Sequence, residues 1–329
     1  MTTQLSRTHI RVQRSDGREW PNITIAMREL LGTAQEISPS ESQRIRLKLR
    51  TEGLGVDRHG FTWKSVGGTV AEASIGWADF TFGVELEVLA PFTRETMAAE
   101  LNVIGASNWN VVHDGSLAAQ PGYSAMEVVS PVLQGEAGLA QLRVVMDRMK
   151  ALGCKVNSSC GMHVHVGVRG MKVSRLTRIA RAFLANERHF DALVPAARLN
   201  NRYCQSNAAR AYNQDRVLNC TTVAGIAQQM NGGNSPQHYN PYRYYKLNFQ
   251  SFVRHGTIEF RQHGGTVESD KATAWVRLIT GFCAQHAANA NPAEVVPFEQ
   301  FVDGAVVGDQ RTVSFLAARR VKFAAQRAQ

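Results

Sequence analysis

The stretch Thr81-Phe82-Gly83-Val84-Glu85-Leu86-Glu87-Val88 decides how this chain is read. Along a β-strand, successive side chains point to opposite faces. Phe82, Val84, Leu86 and Val88 therefore share one face, and Glu85 and Glu87 share the other. Three later segments repeat the pattern. Met126 and Val128 flank Glu127; Met162, Val164 and Val166 alternate with His163 and His165; Ile258 and Phe260 alternate with Glu259 and Arg261. One such segment alone reads as a half-exposed surface strand. Four of them in one sheet would set a packed core on one face. The other face would gather four carboxylates, two imidazoles and a guanidinium.

Carboxylates held that close repel one another, and a dry site pushes their pKa values up. A divalent cation relieves both effects. Carboxylate oxygens with one or two imidazole nitrogens suit Mg2+ or Mn2+. A guanidinium beside them, here Arg261, is the expected partner of a polyphosphate. Metal and arginine acting together on phosphate are the machinery of phosphoryl transfer. The sequence has no G-x-x-x-x-G-K-[ST] loop. A nucleotide would therefore lie on the sheet surface rather than in a P-loop.

The remaining features bound the answer. The 329 residues suffice for one large domain and a small one. With 44% hydrophobic and 19% charged residues, the chain has the composition of a folded globular protein. No apolar run approaches the ~20 residues that span a bilayer. The segment Met1-Thr2-Thr3-Gln4-Leu5 lacks an apolar signal core, so a cytoplasmic location is expected. The five cysteines are odd in number and form no C-x-x-C pair, which argues against a disulfide scaffold or a thiolate zinc site. They read as small, partly buried residues. The net charge of +10 favours anionic partners, nucleic acid among them, although no polybasic block stands out.

Two regions are expected. Residues 1–74 read as a small basic α/β module, with a strand over His9–Gln13, a turn at Ser15-Asp16-Gly17 and a helix from Ile23 to Leu31. A second helix, Glu41 to Arg50, opens on a capping box formed by Ser40 and Gln43. A closing strand carries Phe61, Trp63 and Val66, and Gly67-Gly68 suits a linker. The basic charge suits recruitment of a substrate or nucleic acid, and equally a structural cap. Residues 75–329 read as the catalytic region. It holds helices over Gln134–Leu152, from a cap at Ser174 onward, and from Ser269-Asp270 to about Ala290. Residues 205–241, rich in Asn, Gln and Gly, read as a long mobile loop and a candidate lid.

The motifs Phe82-Gly83-Val84-Glu85-Leu86-Glu87, His113-Asp114-Gly115-Ser116, Glu127-Val128-Val129-Ser130-Pro131, Cys160-Gly161-Met162-His163-Val164-His165-Val166 and Thr257-Ile258-Glu259-Phe260-Arg261-Gln262-His263-Gly264-Gly265-Thr266 occur in that order. The series resembles the amidoligases of the carboxylate–amine ligase superfamily, distant relatives of glutamine synthetase and glutamate–cysteine ligase. The resemblance covers about residues 80–290. It implies an α+β fold: a curved antiparallel β-sheet with helices packed on its outer face, and ATP with two or more Mg2+ or Mn2+ ions on its concave face. It further implies Glu85, Glu87, Glu127, His163 and Glu259 as metal ligands. His165, Arg261 and Arg198 fall at the nucleotide. Arg261, Asp114 and Arg202 take catalytic roles, with Asp114 a candidate base for the amine. The implied reaction forms an amide or isopeptide bond through an acyl phosphate. The carboxylate donor and amine acceptor would be amino acids, peptides or polyamines.

Two other functions fit parts of the pattern. A metal-dependent hydrolase or oxygenase would use His163, His165 and a glutamate, but it leaves Arg261 and the additional carboxylates without a role. A nucleic-acid-binding protein with a degenerate ligase domain would use the basic charge, but the carboxylate set is intact.

Overall fold

The computed structural model describes residues 12–20, 23–51, 54–65, 75–199, 201–210, 214–233, 241–288 and 294–328. The chain divides into two compact units, Met1–Ser74 and Ile75–Gln329.

The first unit contains β1 (Val12–Arg14), β2 (Glu19–Trp20), α1 (Ile23–Glu29), α2 (Pro39–Thr51), β3 (Leu54–Val56) and β4 (Thr62–Ser65). Its strands pair antiparallel in the order β2-β1-β4-β3. Val12, Trp20, Ile23, Leu30, Ile45 and Trp63 form its own core. Gly17, at φ 92°, supplies the left-handed residue of the turn after β1. Helix α2 begins earlier than the Ser40 reading expected. Ser38 Oγ accepts from the Glu41 N–H at 3.2 Å, and the Ser38 N–H donates to the Glu41 carboxylate at 3.4 Å. The capping box is therefore Ser38 with Glu41. Pro39 takes the first helical position, where its missing N–H leaves nothing unbonded. Parts of the sequence reading, namely residues 9–11, Val66 and Gly67-Gly68, fall outside the described residues.

The second unit contains β5 (Thr81–Ala90), α3 (Arg94–Val103), β6 (Asn110–Val112), β7 (Ser124–Val129), β8 (Leu133–Gln134), α4 (Gly135–Ala151), β9 (Gly161–Gly167) and α5 (Val173–Asp191). There follow α6 (Asn207–Arg210), α7 (Gln214–Leu218), α8 (Val223–Asn231), β10 (Leu247–Asn248), α9 (Phe252–His255), β11 (Thr257–Gly264), α10 (Ser269–Ala288), α11 (Phe298–Ala305) and α12 (Gln310–Arg327). The strands form an antiparallel, open sheet ordered β10-β11-β9-β5-β7-β6, with β8 paired to β5. The molecule is thus a mixed α/β protein with antiparallel sheets.

The four alternating segments are β5, β7, β9 and β11, consecutive neighbours in this sheet. On the apolar face, Phe82, Val84, Leu86 and Val88 are at most 2% exposed. Met126, Val128, Met162, Val164, Val166, Ile258 and Phe260 are fully buried with them. They share one core with Leu142, Val145 and Met149 of α4, Ile179 and Phe183 of α5, and Trp275, Ile279 and Phe282 of α10. Each such side chain contributes about 1.5–3 kcal/mol by leaving water. Helices therefore cover one face, and the other carries the ionic residues, of which Glu87, His163, Glu259 and Arg261 are themselves buried.

Local differences have local causes. Helix α4 ends one residue before Leu152, and Gly153 follows at φ 79°. In α5, Lys172 occupies the cap position with no side-chain capping bond, so Ser174 lies inside the first turn rather than at the cap. The stripe Leu176, Ile179, Ala180, Phe183 and Leu184 is core. Helix α10 runs to Ala288, and residues 289–290 lie outside the described residues. The largest correction concerns residues 205–241. Their described part is mainly three helices, α6, α7 and α8, and Val217, Ile226, Ala227 and Met230 are fully buried in the main core. Two of its asparagines bond to backbone inside the core. Asn207 Nδ2 donates to the carbonyls of Met230 and Leu247, and Asn231 Nδ2 donates to Leu247 O. No helix of the described residues is long and apolar enough to cross a membrane.

Candidate functional site

The antiparallel register brings the polar residues together. Glu85 pairs with His163 across β5 and β9, Glu87 with Glu127 across β5 and β7, and His165 with Glu259 across β9 and β11. His163 Nδ1 lies 2.9 Å from Glu85 Oε2 and 3.5 Å from Glu259 Oε1, while its Nε2 lies 3.7 Å from Glu87 Oε1. His165 Nε2 lies 3.2 Å from Glu85 Oε1, and its Nδ1 lies 2.9 Å from Thr257 Oγ1. Arg261 pairs with Glu259, and its Nε donates to Tyr203 O at 3.4 Å. Between Phe260 and His263, the span that holds Arg261, the register of β11 shifts against β9. Such an irregularity is a common device for aiming side chains at a site.

The charges are strongly coupled. Burial raises the pKa of Glu85, but the neighbouring His165 and His163 outweigh it and hold the carboxyl well below its ordinary value. Burial also opposes ionisation of Glu259, and the Arg261 guanidinium overcomes it. His165 is pushed up: burial works against its charge, but Glu85 and Glu259 prevail. Glu127 goes the other way. Burial, and then the charges of Glu85, Glu87 and Asp114, push its pKa up to about 9.

Two groups of ligand atoms lie within 4.8 Å of one another: Glu85, His163 and Glu259, and Glu87, Glu127 and His163. His165 belongs to neither. The donor set of hard carboxylate oxygens and one imidazole fits a divalent ion such as Mg2+ or Mn2+. Backbone space fits as well. At Gly161 an added Cβ would sit 3.1 Å from His163 Nε2 and 3.3 Å from Glu87 Oε2, so the glycine keeps this corner clear. The Gly161 N–H also donates to Glu87.

Two cavities flank the cluster. One, of about 420 Å3, is lined by Glu87, His163, Arg198, Arg202, Tyr203 and Arg261, with Ser116, Ser159 and Asn201. The other, of about 190 Å3, lies beside Glu85 and His165 and is walled by Gly83, Val84, Val129, Ser130, Pro131 and Thr257. Arg198 comes from the 3-10 turn Ala196–Arg198 and is 4% exposed. Arg202 is exposed, and its guanidinium lies 4.6 Å from the Tyr203 ring centroid. Asp114 stays in a loop, half-buried, with its carboxylate accepting from the Ser116 N–H at 2.8 Å. It acts on Glu127 through charge but joins neither ligand group.

Sequence reading missed Asn248, whose Nδ2 donates to Glu259 Oε2 at 2.7 Å, and Thr257, the partner of His165. Asn248 had a signal. In Lys246-Leu247-Asn248-Phe249 polar and apolar residues alternate as in the four strands, and β10 is indeed the next strand along.

A family model described as "putative amidoligase enzyme" matches residues 78–283. That span is more than half of the chain, and it contains all seven strands of the large sheet and every site residue named above. No curated protein matches the chain. Amidoligase membership suggests a ligase joining a carboxylate to an amine, and so suggests ATP and a divalent metal. By this match, the chain belongs to the amidoligase family.

Proposed function

We propose that the protein is an ATP- and Mg2+-dependent carboxylate–amine ligase that forms an amide or isopeptide bond through an acyl phosphate. The fold would then be the glutamine synthetase-like catalytic domain, with the ionic face as its concave side. The observation that carries this reading is the join of Glu85, Glu87, Glu127, His163, Glu259 and Arg261 on four neighbouring strands. A three-ligand hydrolase or oxygenase using His163, His165 and a glutamate would leave the other carboxylates and the buried guanidinium without a role.

The geometry supports a role for each residue in this reading. When bound, divalent ions supply neutralisation of phosphate charge. An ionised carboxylate only accepts, so the nitrogen of His163 facing Glu85, Nδ1, carries the hydrogen. That leaves the Nε2 lone pair for ligation beside Glu87 and Glu127. Glu85 and Glu259 then serve a neighbouring ion through oxygen alone. Arg261, locked by Glu259 and Tyr203 O, presents its charge to the transferring phosphoryl group without reorganising. His165, favoured in its charged form, faces the smaller cavity, which suits the nucleotide side. Asp114 is near enough to influence Glu127 and is the candidate acceptor of the amine proton. Residues 1–74 serve substrate or partner binding in this reading.

The test is ADP release with Mg2+, ATP and a matrix of carboxylates and amines, followed by product mass. A product lighter than the sum of its two substrates by one water supports the ligase. ATP consumption that never depends on both substrates refutes it.

A further inference from the structure

Strict alternation along β11 would send Glu259, Arg261 and His263 to one face, and Phe260 and Gln262 to the other. The pairing is different. Phe260 pairs with Val164 and His263 with Met162, so Arg261 and Gln262 together oppose the single residue His163. That two-against-one count is a β-bulge. It leaves Arg261 beside Glu259, and it turns His263 with Met162 toward the core. His263 is 1% exposed, and its ring centroid lies 5.1 Å from that of Trp275 in α10.

A bulge interrupts the ladder, so its backbone groups need other partners. The Arg261 N–H donates to Lys246 O at 2.8 Å. Arg198 serves both carbonyls: its Nη2 donates to Arg261 O at 2.5 Å and its Nε to Gln262 O at 3.3 Å. The Gln262 amide donates to Asp191 Oδ1 at 3.1 Å. Past the bulge, the brace comes from the C-terminal helix. Arg319 Nη2 donates to His263 Nε2 at 3.2 Å, and Arg319 Nε donates to Leu193 O at 3.0 Å. A ring nitrogen that accepts bears no hydrogen, so Nδ1 carries it and donates to Gly264 O at 2.6 Å. Burial, and then the Arg319 charge, hold the His263 pKa well below its ordinary value, which keeps the ring neutral. Arg319 is half-buried and lies outside the span matched by the amidoligase family model.

We propose that Arg319 is a positioning residue: through His263 it fixes the far end of the β11 bulge and so aims the Arg261 guanidinium. The part played by Arg261 rests on the ligase reading, and the brace rests on the bonds above. A guanidinium suits the task because its planar fork reaches the Leu193 carbonyl and the His263 ring at once. The sheet strand that carries Glu259 and Arg261 is thereby tied to a helix that touches neither residue's charge.

The experiment is a double-mutant cycle on kcat with Arg319→Met and Arg261→Ala, joined to amide hydrogen exchange of the same purified proteins. In the wild-type background Arg319→Met should lower kcat by about tenfold, within the ~10²-fold that a 1 Å misplacement can cost. Mn2+ affinity should stay within about twofold. In the Arg261→Ala background the same substitution should cost less than about twofold, because residues acting through one group are not additive. Exchange over residues 260–264 should quicken in Arg319→Met by about tenfold, while exchange over β5 stays as in wild type. If Arg319→Met fails to fold, Arg319→Lys replaces it: its single nitrogen lacks the paired donors, so the same pattern should appear at smaller size. Losses of equal size in both backgrounds, or unchanged exchange over 260–264, overturn the proposal. A wild-type protein without ATP turnover, whose Arg319→Met form still exchanges faster over 260–264, would instead refute the ligase reading and leave the brace standing.

Discussion

The protein buries two clusters of charge, and they are built on opposite plans. Behind the ionic sheet face, Lys246 Nζ lies 2.8 Å from both Glu187 Oε1 and Asp191 Oδ2. The Ala208 N–H fills the other Glu187 oxygen, and Gln262 Nε2 donates to Asp191 Oδ1. Every charge there has a partner. On the sheet face, by contrast, carboxylates meet carboxylates: Glu127 opposes Glu87 across the strands, and its pKa stands near 9. The first cluster completes the fold. The second gathers two sets of ligand atoms that could hold a divalent cation.

This contrast can be broken from either side. The largest effect is expected at Lys246→Ala, which strands Glu187 and Asp191 without their cation. It should cost about 3–5 kcal/mol of stability in urea unfolding. Glu85→Ala should instead remove ATP turnover, by about 10²–10³-fold, while the melting temperature stays near wild type. Glu259 calls for the gentler Glu259→Gln, because alanine there would also strand the buried Arg261. Arg261→Ala should lower the rate about 10²-fold while metal affinity, read by calorimetry, falls much less. Equal turnover would remove Arg261 from the chemistry. Asn248→Ala should weaken metal binding by about tenfold, the usual effect of losing a group that orients a ligand. The smallest effect is expected at Glu127→Gln without metal. A carboxyl already neutral at pH 7 loses little, so stability should move by no more than about 0.5 kcal/mol.

The site was legible where a strand period carried it. Glu85, Glu87, Glu127, His163, His165 and Glu259 each sit between apolar residues that the core requires, and Arg261 follows Phe260 two positions after Glu259, so burial of one face dictates the other. Pairing was not legible. Nothing in the chain order says that β9 lies between β5 and β11, because that neighbourhood is set by packing between segments far apart in sequence, such as Glu85 with His163 and His165 with Glu259. Composition misled at residues 205–241. Asparagine marks loops when its amide competes with backbone in water. Asn207 and Asn231 do that same bonding inside the core and so hold helices together. At α2 two overlapping cap patterns compete, and Pro39 selects Ser38 because proline fits the first helical turn.

The most direct measurement is Mn2+ binding to the purified protein by calorimetry, across wild type, Glu85→Ala, Glu87→Ala and Lys246→Met. The account predicts that wild type binds more than one ion, that each glutamate variant loses affinity, and that Lys246→Met, as far as it folds, binds like wild type. A wild-type protein that binds no Mn2+, or glutamate variants that bind it unchanged, would contradict the assignment of the ionic face as a metal centre.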